Sequence, residues 1–155
     1  KMISKFQVKE NKIVKEKTVY LSGAMLDCTD AECRDWREFA KENIKGVSLD
    51  PMIRDYRGNP MDGMVDMVEN DKADIDGCDV VLVNFVKPSV GTSMEVLYGW
   101  ERGKKIILVA PTEVSVSPWL VYHSHKVFRS VEDAIFYINE TDFESEKGEN
   151  LECQR

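Results

Sequence analysis

The chain has 155 residues, 43% of them hydrophobic and 9% aromatic, which is enough for one domain around one core and too few for two ordinary ones. Its formal net charge is −7 and its pI about 4.9, which argues against duplex nucleic acid as a partner, because that affinity rests on clustered Lys and Arg neutralising phosphates. No apolar run approaches the length of a membrane span, so the expectation is a cytoplasmic protein that acts on small molecules and not at a membrane.

Residues 1–17 carry Lys1, Lys5, Lys9, Lys12, Lys15 and Lys17 among few apolar residues and are expected to form a basic, solvated tail. "TVYLSG", residues 18–23, is a short β-branched run stopped by glycine, hence a strand. Thr29 and Glu32 then have capping-box spacing for a helix reaching about Lys45, with Cys33, Trp36, Phe39, Ala40 and Ile44 on its core face. A weak strand "VSL" and the turn-rich "DPMIRDYRGNP" follow. A second helix is expected from Met61 to about Asp76, then "DVVLVNFV", an apolar run of the kind buried on both faces of a parallel sheet. Thr92-Ser-Met-Glu95 reads as a capping box opening a third helix that ends near Gly103. "KKIILVA" is a further buried strand, "PTEVSVSPWLVYHSH" a long loop, "KVF" a short strand, and Ser130 opens a last helix to Asn139. Residues 140–155 form an acidic segment poor in core formers, expected to be a second solvated tail. Strand and helix alternate across 18–139, which predicts one α/β domain with a mainly parallel sheet and ligands at the carboxyl ends of its strands.

That topology gives Glu95 two readings. As part of a capping box it is structural. Lying just beyond the carboxyl end of the "DVVLVNFV" strand, it also stands where α/β sheets place chemistry, as do Tyr20, Ser22 and Gly23 at the end of the first strand. Asp71 is a second anomaly, because it falls in the middle of the helical face formed by Met64, Met67, Val68 and Ile75, where a carboxylate needs a partner or a task. Cys28, Cys33, Cys78 and Cys153 lack both zinc-site spacing and disulfide-scaffold density, and His123 and His125 have no third ligand nearby in sequence, so no metal is assigned.

"VYLSGAM", "ENDKADIDGCDVVLV", "PSVGTSMEVLYGWERGKKIILV" and the later "SPW" together resemble the nucleoside 2-deoxyribosyltransferase family, including its relatives that hydrolyse nucleoside 5′-monophosphates. The resemblance spans about residues 18–139 and implies a flavodoxin-like three-layer sandwich with a five-stranded sheet that splits an N-glycosidic bond. It implies Glu95 as the nucleophile that forms a glycosyl-enzyme ester, Tyr20 as the tyrosine holding that carboxylate, and Asp71 as the group that protonates the departing base. It further implies that Pro88-Ser-Val-Gly91 stands where the founding transferases carry an aspartate and the monophosphate hydrolases a serine. Ser89 and Gly91, with Gly23 after the first strand, are therefore expected at the substrate, Ser89 at a 5′-phosphate or only in the turn. No cofactor is implied. A homo-oligomer is, because in this family a neighbouring subunit completes the pocket from the late loop, here at Ser117 or His123. Transfer to a base and hydrolysis both stay open, as does a non-catalytic nucleotide-binding module in which Glu95 is only the cap.

Overall fold

A computed structural model describes residues 13–144. Five strands, β1 (Lys17–Gly23), β2 (Gly46–Leu49), β3 (Val80–Asn84), β4 (Lys105–Val109) and β5 (Lys126–Phe128), form one sheet of order β2-β1-β3-β4-β5, with every pairing parallel. The five main helices are α1 (Asp30–Asn43), α2 (Met64–Gly77), α3 (Val90–Glu101), α4 (Pro118–Tyr122) and α5 (Val131–Glu140), with a 3-10 turn at Pro51–Arg54. This is the flavodoxin-like strand order, whose switch point lies between β1 and β3.

The period of two along a strand divides the core between the two faces. Val19 and Leu21 of β1, with Val80 and Leu82 of β3, pack under α1 and α5, alongside Ala40, Ile44, Ala134 and Ile138. Tyr20, Val81 and Val83 point the other way, toward Ile75 of α2 and Val96 of α3. Helix α3 sits close on that face because Gly99 has no side chain: a Cβ there would lie 3.1 Å from both Ile106 and Val81 side-chain atoms.

The capping box of α1 forms as its spacing predicts: Glu32 N donates to Thr29 Oγ1 at 3.2 Å and Thr29 N to Glu32 Oε2 at 2.7 Å. Several boundaries differ from the sequence reading. Helix α2 starts three residues later than Met61, and of its expected apolar face only Ile75 is core, whereas Met64 and Val68 are exposed. The stretch read as a long loop contains α4, opened by Ser117, whose Oγ accepts from Trp119 N, and by Pro118 at the first helical position. At five residues α4 is too short for periodicity to reveal. Lys17 already belongs to β1, and Phe143 packs on the core under α1 and α5. The remainder of both proposed tails, residues 1–12 and 145–155, lies outside the described residues. Among the described residues no helix is long and apolar enough to cross a membrane.

Candidate active site

The capping-box reading of Glu95 is overturned by where α3 begins. Ser89 is the N-cap, its Oγ accepting from Thr92 N at 3.3 Å, so Thr92 lies inside the helix and Glu95 a full turn and more beyond the cap. Thr92, Val96 and Gly99 form one buried row against the sheet. Glu95 is thereby released from any capping duty.

Its carboxylate instead reaches β1. Tyr20 and Ser22 are two apart and therefore share the face of the strand that α3 covers. The Tyr20 hydroxyl donates to Glu95 Oε1 at 3.0 Å, and the Ser22 hydroxyl donates to Oε2. Burial lifts the Glu95 pKa to about 7; the neighbouring charge of Asp71 adds to the rise, while the two hydroxyls and Arg37 oppose it. Burial also drives the Tyr20 phenol far above its ordinary range, so it remains a donor.

Asp71 stands across the same space, on α2. Arg54 Nη2 lies 3.1 Å from Asp71 Oδ1 and 2.5 Å from Asp74 Oδ2, which supplies the partner that a shielded carboxylate requires. Burial raises the Asp71 pKa and the Arg54 pair acts against that rise. The helical face carrying Asp71 thus opens on a cavity and is not core.

That cavity has a volume of about 610 Å³, and Glu95, Asp71, Gly23, Ser89 and Gly91 all line it. Its walls include Met25, Leu26, Tyr56, Met67 and Val68, apolar or aromatic surface suited to a flat ring, with Arg54 and Arg57 at the side. Tyr20 lies fully buried beneath Glu95. A Cβ at Gly91 would meet nothing within 4 Å, whereas one at Gly23 would come within 2.9 Å of the Trp36 ring and 3.2 Å of the Asn84 carbonyl. Gly23 is therefore required by packing and Gly91 is not.

Other residues fall elsewhere. Asn70 donates to Asp66 O on the outer face of α2, and Asn84 is buried at the end of β3; neither lines the cavity. Ser117 and His123 line an adjacent groove of about 580 Å³ on the other side of α3. Arg57 is occupied by Asp55, Asp30 and the Cys28 carbonyl.

No protein-family model and no curated protein matches the sequence. Among solved structures, the chain superimposes with a TM-score of 0.65 on a 2-deoxyribosyltransferase from the psychrotolerant bacterium Bacillus psychrosaccharolyticus, at 16% identity over 83% of this chain and 94% of that one. The chain has the 2-deoxyribosyltransferase fold. A conserved protein from Enterococcus faecalis V583 superimposes at 0.61, with 12% identity over 80% of this chain and 98% of that one. A superposition of 0.49 on Clostridium botulinum CMP N-glycosidase, BcmB, at 18% identity over 79% of this chain and 98% of that one, is too loose to bear on function.

Within this 2-deoxyribosyltransferase fold, two features escaped the reading of the sequence. Arg54 lies in the turn-rich "DPMIRDYRGNP", and its tie to Asp71 crosses 17 positions with no periodic signal. Arg37 occupies a fully buried position on α1, between the expected core residues Cys33 and Ala40. Its place on the inner face of that helix was legible, but nothing local indicated what a cation would do there.

Proposed function

We propose that this protein cleaves the N-glycosidic bond of nucleosides or of their 5′-monophosphates through a covalent sugar intermediate on Glu95. The observation that carries the reading is the double grip of Tyr20 and Ser22 on a cavity carboxylate that has no capping role. A carboxylate fixed at both oxygens is aimed at one point in the cavity, as a nucleophile must be.

In the first step a Glu95 oxygen bonds to the anomeric carbon as the carbon–nitrogen bond breaks, its electron pair leaving with the base. The base takes a proton from the Asp71 carboxyl, whose burial favours the protonated form. In the second step water or a second base attacks the same carbon, the glutamyl ester opens, and Asp71 recovers a proton. This is the two-carboxylate logic of retaining glycosidases.

The amides of Val90 and Gly91 at the start of α3, beside the Ser89 hydroxyl, suit an anionic group on the substrate. That favours a 5′-monophosphate, and the open space at Gly91 leaves room for it.

The test is incubation with a panel of nucleosides and their 5′-monophosphates, with and without an added free base, followed by product separation. Base released without an added acceptor indicates hydrolysis, and exchange indicates transfer. No product from any member would overturn the proposal. Asp71→Asn is expected to slow release of strongly basic leaving groups at least tenfold more than release of good ones, because proton donation matters most for the former. Equal slowing of both would remove Asp71 from that role.

We further propose a homo-oligomer. Val90, Met94, Trp119 and Tyr122 are 78%, 67%, 74% and 69% exposed, and the first three line the groove that also holds Ser117 and His123, beside the cavity. So much apolar surface at one place suits a partner subunit. Sedimentation at micromolar concentration should give a dimer or larger, and Trp119→Asp should dissociate it; a monomeric wild type would refute this.

A further inference from the structure

Arg37 is the one arginine among the described residues that is fully buried. Its guanidinium is spent almost entirely on backbone: Nη1 donates to Cys33 O at 2.6 Å, Nη2 to Gly23 O at 3.0 Å and Nε to Leu21 O at 3.4 Å. The counter-charge is Asp50, whose Oδ1 is 3.7 Å from Nε and which also caps the Pro51–Arg54 turn through Met52 N. Taking a cation out of water carries a desolvation penalty that pairing must offset, so a well-packed neutral residue would often fill this space as well or better.

The two carbonyls at the end of β1 belong to Leu21 and Gly23, the residues on either side of Ser22. Ser22 in turn holds Glu95. We infer that Arg37 is the positioning residue of the nucleophile: by clamping the backbone on both sides of Ser22 it sets where the Ser22 hydroxyl stands, and with it the Glu95 carboxylate. This rests on the reading of Glu95 as nucleophile. Tyr20 and Ser22 from β1 pair with Glu95, and the charges of Asp71 on α2 and Arg37 on α1 act on it from further off; burial and Asp71 oppose the ionised carboxylate, while the two hydroxyls and the arginine charge favour it.

Two variants separate positioning from packing. Arg37→Lys keeps the charge but not the planar fork that spans two carbonyls. Arg37→Gln removes the charge. For each, kcat and KM for base release are measured, and the Glu95 midpoint is read separately from carboxyl ¹³C resonances, assigned by loss of one signal in Glu95→Gln. For Arg37→Lys the expected result is a fall in kcat of about tenfold or more, with KM within about twofold and the midpoint within about half a unit. For Arg37→Gln the midpoint should rise by roughly one unit. A structural role alone would loosen the site and admit water, moving the midpoint down toward its ordinary value. A falling midpoint in Arg37→Gln, or an unchanged kcat in Arg37→Lys, therefore overturns the inference. If Arg37→Gln does not fold, Arg37→Lys decides by itself. If the wild type releases no base from any substrate, the proposed function fails, while the midpoints still report whether Arg37 acts on Glu95.

Discussion

Glu95→Gln is expected to abolish base release, by on the order of 10⁴-fold or more, and to make the folded protein more stable above pH 7. The first effect follows because an amide oxygen is a poor nucleophile. The second follows from burial. The folded pKa of Glu95, about 7, lies above its ordinary value of 4.5, so folding favours the protonated form. That contribution is complete below pH 4.5 and is lost as pH rises through 7; above 7 the wild type carries a buried carboxylate at a cost on the order of 3 kcal/mol. Glutamine is neutral throughout, and its amide can still pair with both hydroxyls, accepting from one and donating to the other. Denaturant unfolding of the two proteins at pH 5 and pH 8.5 should show a gap that widens at the higher pH. A gap independent of pH would refute the burial account. Wild-type kcat/KM should also fall on the acid side of about pH 7, where the nucleophile becomes protonated.

Ser89→Asp is expected to weaken turnover of a 5′-monophosphate by roughly 10- to 150-fold or more while affecting the matching nucleoside much less. The range corresponds to losing one hydrogen bond to a charged group, about 1.5 to 3 kcal/mol, and like-charge repulsion adds to it. The substitution is a clean one because Ser89 is the N-cap of α3. Aspartate caps as well as serine, and a negative charge at a helix start is favourable, so the fold is retained. The measurement is kcat/KM for a deoxynucleoside and its 5′-monophosphate in both proteins. If the two substrates fall in parallel, or the wild type prefers the unphosphorylated one, Ser89 is only a cap and the substrate is a nucleoside.

The order of elements was legible because each rests on local physics. Thr29 and Glu32 announce α1, and the apolar runs around Leu82 and Ile107 announce strands buried on both faces. Tyr20 and Ser22 could be placed on one face of a strand from their spacing alone. The start of α3 was misread because Ser89 and Thr92 both offer hydroxyls at cap spacing; which one prevails depends on which row of the helix the sheet will bury. The face of α2 was misread for a related reason, since periodicity shows that one side of a helix is apolar but not whether that side meets a core or a cavity.

What the sequence determined by itself was therefore the α/β order, the parallel sheet and the set of residues at the carboxyl ends of β1 and β3, all consequences of interactions within a few positions along the chain. What only the tertiary structure decided was which of those side chains meet. The Ser22 hydroxyl reaches Glu95 across 73 positions and Tyr20 across 75, Arg54 finds Asp71 and Asp74, and Arg37 reaches Gly23 O under the end of β1. Such contacts are set by how α1, α2 and α3 seat on the sheet, and the pKa of Glu95 is set by the burial that results; neither is encoded in any local window, because both depend on groups that only folding brings within a few ångströms.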